Sequence, residues 1–419
     1  MGKTIAQKII EQHCDGDKVD VGHIVKARVD LVMGNDVSGP MAVDIFNKIN
    51  INRLFDPEKV VLVADHFVPN KDIKSAEQVK VIRDFAKKYK LPHYYENEGI
   101  EHALLPERGL VLPGQLIAGA DSHTVTYGAL GAFAFGIGAT DLAAAFATGW
   151  VWLKIPKTIK IVLSGFLQQW VSGKDVILEI IKKIGVDGAT YKVLEFQGSG
   201  LSGLPMESRF TISNMAAESG AKAAIFPVDE KTIAYIEKNN KQSYSYYTSD
   251  DDAEFTETFE LDLGSVPLQV AFPHLPSNSR NVEEIEKIKI DQVVIGSCTN
   301  GWIEDLRVAG QILKGKHIAS NLRLIIIPAT REIYKQALKE GLVEIFVEAG
   351  AIVSPPTCGP CLGGFMGILA EGERALATTN RNFIGRMGHN KSEVYLSNPA
   401  VAAASAVKGY IVHPQEVVN

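Results

Sequence analysis

The stretch Val60-Val61-Leu62-Val63-Ala64-Asp65-His66 is a short apolar run that stops at an acid and a histidine. An uninterrupted run of this length, rich in β-branched residues, reads as a strand buried on both faces. That is the habit of a parallel sheet covered by helices. The pattern returns along the chain. Residues 115–120 (QLIAGA) end at Asp121-Ser122-His123, and 159–163, 292–295 and 323–327 are similarly strand-like. Helix candidates lie between: Ser75-Ala76-Glu77-Gln78 reads as a capping box opening a helix to about Tyr89, and 332–349 reads as another. Strands alternating with helices predict an α/β protein with mainly parallel sheets. A break at Pro156 and a polar connector at 273–281 (PHLPSNSRN) divide it into three α/β domains, at 1–156, 157–283 and 284–419. The acidic stretch 243–260 reads as a solvated surface segment.

The composition fits that reading. The chain has 419 residues, a size at which about three domains are expected, and an ordinary 46% hydrophobic and 22% charged content. Its 43 basic and 49 acidic residues leave a formal charge of −6, which excludes a general polyanion binder. Four cysteines are too few for a disulfide scaffold and point to metal or redox chemistry in a reducing compartment. The N-terminus lacks the apolar core of a secretory signal, and no run of about 18 apolar residues offers a membrane span. The expectation is a cytoplasmic protein with no membrane or nucleic-acid partner.

Several motifs can carry chemistry. Cys298 follows the strand at 292–295 within Gly296-Ser297-Cys298-Thr299-Asn300, and Cys358 and Cys361 stand in Thr357-Cys358-Gly359-Pro360-Cys361. Cys-Gly-Pro-Cys alone is a thioredoxin-type redox signature, so a thiol–disulfide exchanger using Cys358 and Cys361 is one reading. A zinc site wants a fourth ligand. Three thiolates can instead hold three corners of a cubane iron–sulfur cluster and leave one iron open as a Lewis acid, or be buried structural thiols. Cys14 reads as a core or surface thiol of the N-terminal helix. Three histidines sit beside acids: Asp65-His66, Glu101-His102 and Asp121-Ser122-His123. A carboxylate beside an imidazole fixes its tautomer and raises its pKa, as acid–base work requires. Residues adjacent on a strand point oppositely, so adjacency alone does not make a pair. In Asn380-Arg381-Asn382-Phe383-Ile384-Gly385-Arg386, two guanidinium groups are suited to clamping carboxylates. Gly198-Ser199-Gly200-Leu201-Ser202-Gly203 spells a dinucleotide fingerprint, but Leu204-Pro205-Met206 follows where a helix should open, with a helix more credible at 213–220. We therefore reject dinucleotide binding.

Taken together, Asp65-His66, Gly99–His102, Gly119–Thr124, Asn214–Glu218, Gly296–Asn300, Cys358–Cys361 and Asn380–Arg386 resemble, in order and over essentially the whole chain, the aconitase family of hydro-lyases. The branch resembled is the one whose large subunit is a separate chain. The resemblance implies three α/β domains around a cluster-containing cleft, with Cys298, Cys358 and Cys361 binding a [4Fe–4S] cluster. It implies that Asp65 and His66 protonate the departing hydroxyl, that His102, His123 and Glu218 surround that oxygen with Asp121 and Asn214 in support, and that Ser122 and Asn214 are among the substrate-binding residues. Arg381 and Arg386 would hold substrate carboxylates, with Asn380 near the cluster. The implied substrate is a small hydroxy diacid: isopropylmalate first, with homoaconitate and dimethylmalate as alternatives. The family's catalytic serine and further arginines belong to a domain with no counterpart here, so a separate small subunit is expected to complete the site in a hetero-oligomer. Two positions depart from aconitase proper: Asn35 stands where it has a substrate-binding glutamine, and Gly301 where it has serine. A non-enzymatic RNA-binding reading is disfavoured by the acidic charge.

Overall fold

The computed structural model describes residues 2–16, 18–49 and 51–418. Their secondary structure is helices alternating with mainly parallel strands, and the chain forms two compact units. The first unit comprises residues 1–96, 104–165 and 187–262, and the second comprises 97–103, 166–186 and 263–419.

In the first unit a five-stranded, fully parallel sheet has the order His93–Glu96, Val60–Ala64, Leu31–Asn35, Leu116–Gly119, Phe133–Gly136. The first strand in sequence, Leu31–Asn35, lies at the centre. The chain winds outward on one side, then returns to continue on the other. The topological switch point therefore falls between Leu31–Asn35 and Leu116–Gly119, and a crevice opens beyond the carboxyl ends of strands at such a point. Every residue of Leu31–Asn35, Val60–Ala64 and Leu116–Gly119 is buried, which explains their uninterrupted apolar character. Helices Gly39–Lys48, Ile73–Tyr89 and Ala139–Thr148 contribute Phe46, Phe85 and Phe146 to one aromatic core, with Phe46 and Phe85 meeting edge to face at 5.5 Å between centroids. A parallel four-stranded sheet follows, ordered Ala223–Ile225, Lys192–Gln197, Lys157–Ser164, Glu257–Asp262.

The second unit contains a seven-stranded sheet. Five strands are parallel, in the order Glu393–Ser397, Arg374–Ala377, Gln292–Gly296, Arg323–Ile327, Ile352–Val353. Gln269–Ala271 and Ser279–Asn281 extend it antiparallel. Here too the first parallel strand in sequence is central, so the switch point lies between Gln292–Gly296 and Arg374–Ala377.

Several local expectations are corrected. The helix at 75–89 begins at Ile73, because Asp72 is the cap: its carboxylate accepts from Ser75 N at 2.7 Å and the Ser75 hydroxyl accepts from Asp72 N. The stretch 332–349 is two helices, Arg331–Lys339 and Leu342–Glu348, parted at Gly341, whose φ of +73° suits glycine. The helix placed at 213–220 is Met206–Ala216, starting directly after Pro205. The segment 243–260 is exposed or half-buried throughout, as expected of a solvated surface, and its last residues belong to the edge strand Glu257–Asp262. Cys14 lies beyond the N-terminal helix Ile5–Gln12, in a bridge to Ala27.

Candidate active site

In the first unit two of the three acid–histidine motifs lie at the carboxyl ends of strands, one following Val60–Ala64, the neighbour of the central strand, and one following Leu116–Gly119 at the switch point. Asp65 and His66 lie just past Val60–Ala64, where the extended alternation has ended, and they do pair: His66 Nδ1 is 2.6 Å from Asp65 Oδ1. Both are buried. Asp36, immediately after Leu31–Asn35, was not singled out from the sequence. It is fully buried and organises the pair, its carboxylate accepting from the backbone N–H of His66 at 3.0 Å and Phe67 at 2.8 Å. Its Oδ1 is also 3.5 Å from His66 Nδ1. Burial alone would raise the Asp36 carboxyl. The His66 hydrogen bond and charge, with the N–H groups of Phe67 and His66, outweigh burial and hold it below the ordinary aspartate range. The signal for Asp36 was the same strand-then-acid pattern, blurred by Gly34 and Asn35. Asn35 turns its side-chain oxygen onto Val37 N and Ser38 N, both at 3.0 Å, and so shapes the loop carrying Asp36.

Across the switch point, Asp121 caps the 3₁₀ segment Ser122–Leu130 by accepting from His123 N at 2.7 Å. This sets His123 with Nδ1 3.4 Å from the half-buried Asp121 and Nε2 2.9 Å from Glu218 Oε1; His123 and Glu218 are buried. Asp121 Oδ2 is also 4.0 Å from His66 Nε2, so the two acid–histidine groups adjoin. Asn214 supports the segment from behind, donating to Thr126 Oγ1 at 2.9 Å, which in turn donates to the His123 carbonyl. The segment also packs against the strand Ala223–Ile225 so closely that a Cβ at Gly128 would lie 1.9 Å from the Ala224 carbonyl oxygen. Ser122 is exposed and lines a cavity of about 540 Å³ with Asp141, Tyr191 and Lys222.

In the second unit the cysteines occupy the corresponding place. The strand Gln292–Gly296 ends at Gly296, whose φ of +131° and near contact with the Ile327 carbonyl, 2.0 Å from a built Cβ, admit only glycine. Cys298 follows on the short helix Ser297–Asn300. Thr378, just past Arg374–Ala377, ties the two strand ends together: its hydroxyl accepts from Gly296 N at 2.9 Å and donates to the Gly296 carbonyl. That places Asn380 between thiols. Its Oδ1 is 3.1 Å from Cys361 Sγ and its Nδ2 3.6 Å from Cys298 Sγ. Cys358 and Cys361 frame the 3₁₀ turn Gly359–Leu362. All three cysteines are buried and none is in a disulfide. Gly301 closes this loop, because a Cβ there would come within 2.7 Å of two carbonyl oxygens. Arg381 and Arg386 bracket a turn whose Phe383 and Ile384 are exposed. His102 and Glu101 are buried at the start of the helix Glu101–Glu107. The residues just before them join this unit through Ile100 N to Ala329 O at 2.8 Å and a Gly99–Thr330 bridge.

Such a cysteine set is a donor set of soft thiolates, and it is flanked by Ser297 Oγ and Thr379 Oγ1, buried hydroxyls that have no hydrogen-bond partner among the described residues. Thiolates with unspent donors beside them suit a bound iron–sulfur group that accepts hydrogen bonds. Burial of Cys358 and Cys361 argues against disulfide exchange, which needs an accessible thiolate.

The aconitase family profile (aconitate hydratase) matches residues 7–409. The chain belongs to the aconitase family. It is 60% identical over 420 residues to a protein of Clostridium kluyveri named 3-isopropylmalate dehydratase large subunit, covering all of both chains. Proteins of the same name from Caldicellulosiruptor saccharolyticus and Halothermothrix orenii are 61% and 60% identical, covering 97% and 100% of those chains. The aconitase X of Thermococcus kodakaraensis, solved in its holo-form, superposes with a TM-score of 0.50 over 85% of this chain and 84% of its own. At 14% identity that likeness speaks for the fold alone. Among the described residues no helix is long and apolar enough to cross a membrane.

Proposed function

We propose that this chain is the large subunit of a 3-isopropylmalate dehydratase, interconverting 2- and 3-isopropylmalate by dehydration and rehydration in the cytoplasm, together with a separate small subunit. The observation that carries the reading is end-to-end identity of about 60% with relatives of that name. The geometry of the two switch points supports it. Cys298, Cys358 and Cys361 would hold a [4Fe–4S] cluster, with Asn380 between two of them. When bound, such a cluster with one iron lacking a protein thiolate supplies a Lewis acid for a substrate hydroxyl.

The chain's own residues do the rest. Dehydration takes a proton from carbon and sends the hydroxyl away as water, so a proton must stand ready on the leaving side. His66 is built to carry it at Nε2, since Nδ1 is committed to Asp65 and faces Asp36. Those carboxylates stabilise the imidazolium before transfer. His123, fixed between Asp121 and Glu218, and His102, beside Glu101, would orient the departing oxygen. Arg381 and Arg386 would hold the two carboxylates and offset negative charge as the carbon proton leaves. The carbon base and much of the choice among diacids would come from the small subunit.

The test is an anaerobic assay of the chain reconstituted with iron, sulfide and reductant and mixed with the small subunit. Isopropylmalate, homoaconitate and dimethylmalate are compared in parallel. Turnover of isopropylmalate well above the others is expected, and silence on isopropylmalate with turnover of another diacid would overturn the substrate assignment. Cys298→Ser should abolish cluster absorption and activity together. A disulfide exchanger acting through Cys358 and Cys361 would keep its activity.

A further inference from the structure

Lys174 belongs to none of the motifs above. It sits in the first turn of the helix Gly173–Ile184 and is completely buried, its Nζ donating to the backbone carbonyls of Thr378 at 2.8 Å and Thr379 at 2.6 Å. Those are the two residues immediately before Asn380. Lysine is almost never fully buried without a paired charge, because an ammonium taken out of water loses its hydration. Yet among the described residues no carboxylate lies within ion-pair distance of this one.

The nearby acids are spent elsewhere. Asp175 accepts from Gln269 N at 2.9 Å, Ser172 N at 2.9 Å and Asn398 Nδ2 at 2.7 Å. Asp305 accepts from Trp302 N and Asn300 Nδ2. Burial pushes the Lys174 ammonium down to about 7, and the anionic groups opposing that fall are, in order, Cys361, Asp175, Asp305 and Cys298. Two of the four are thiols of the cysteine site.

We propose that Lys174 is a positioning and charge-compensating residue for the iron–sulfur cluster. Its ammonium offsets the negative charge of the thiolate-bound cluster, while its two hydrogen bonds fix the turn that presents Asn380. The inference rests on the cluster reading given above. A cubane core held by three thiolates is a net anion, and one-electron reduction makes it more so. A fixed cation in a medium of low dielectric favours the more negative state, and so raises the reduction potential and slows oxidative loss of iron.

The test compares Lys174→Met, Lys174→Gln and Lys174→Arg with the wild type, each reconstituted anaerobically in complex with the small subunit. Iron and sulfide content, midpoint potential by reductive titration followed by electron paramagnetic resonance, and the rate of bleaching in air are measured. Lys174→Gln retains N–H donors without charge, and Lys174→Arg retains charge. The expected result is a lower potential, several-fold faster bleaching or poor loading in the Met and Gln variants, with recovery in Lys174→Arg. Should Lys174→Met not fold, the Gln and Arg variants carry the comparison. A Lys174→Gln complex with wild-type potential and bleaching, or a Lys174→Arg complex no better than Lys174→Gln, would overturn the proposal and leave Lys174 a structural prop. A wild type that takes up no iron and sulfide would instead overturn the cluster reading itself.

Discussion

The two units place different chemistry at the same address. Each has a parallel sheet wound outward in both directions from its first strand, and each gathers polar residues where two neighbouring strands diverge. In the first unit the groups there are satisfied by one another: Asp36 by three backbone N–H groups, His66 by Asp65, His123 by Glu218. In the second unit the corresponding place holds buried thiols and, among the described residues, two hydroxyls without hydrogen-bond partners and a buried ammonium with no carboxylate within ion-pair distance. A buried polar group left unsatisfied costs about 1–3 kcal/mol, so the two sites differ in what they need. The acid–histidine site is assembled by the fold, whereas on the reading proposed above the cysteine site would be completed by a bound cluster.

The strongest way to break this contrast is to remove a thiol. Cys358→Ser is expected to eliminate cluster absorption and bring activity to background, because its thiolate is a proposed ligand and serine is a poor substitute for it. The melting temperature should drop toward that of the cluster-free wild type, since a group bound only by the folded state stabilises it by mass action. Equal melting temperatures for the cluster-free and cluster-loaded wild type would show that the second site is as self-sufficient as the first.

The complementary change acts on the pre-assembled site. Asp36→Asn should leave the iron content and absorption unchanged while lowering kcat by about 10²-fold with little change in KM. The variant removes the charge that steadies a protonated His66, and acid–base assistance contributes on the order of 10²–10⁴-fold. A pH signature accompanies it. The Asp36 carboxyl is held below its ordinary 3.8, so its stabilising contribution is complete above that value. It is lost as pH falls through the lower folded value. Wild type and Asp36→Asn should therefore converge in stability only in strong acid. Convergence near neutral pH would remove Asp36 from its assigned role.

How much of this was legible in the sequence follows from the same physics. Strands buried on both faces, such as Val60–Ala64 and Leu116–Gly119, betray themselves as apolar runs, and the polar motifs follow within two residues of their ends. That exposed Asp65, His66, Asp121 and Cys298 before any coordinates. Asp36 escaped because Leu31–Asn35 carries Met, Gly and Asn and reads poorly as a strand, although it is the central one. Lys174 escaped because its burial is set by a loop some two hundred residues away. Capping at Asp72 rather than Ser75, and the interruption at Gly341, are choices among local signals that only packing decides.

The finest test of the contrast is an acid–histidine pair at the wrong end of a sheet. His13 Nε2 is 2.6 Å from Asp30 Oδ2, as intimate as Asp65 and His66, but Asp30 precedes Leu31–Asn35 and so stands at the amino end of the strands. Placement rather than pairing makes a site in such folds, so this pair is structural. For His13, burial lowers the pKa but the Asp30 hydrogen bond and charge and the Ile9 carbonyl outweigh it and raise it above 6.5. For Asp30, burial raises the pKa, but the His13 hydrogen bond and charge and the Leu116 N–H hold it below 3.8. The histidine's contribution is full below 6.5 and lost as pH rises through its raised folded value. The aspartate's contribution is full above 3.8 and lost as pH falls through its lowered one. Both operate between those limits. His13→Gln is therefore expected to cost about 1 kcal/mol of stability near pH 5.5, and less near pH 8.5, with kcat unchanged at either pH. A fall in kcat comparable to that of Asp36→Asn would mean that proximity of acid and histidine, and not the end of the sheet they occupy, is what the enzyme uses.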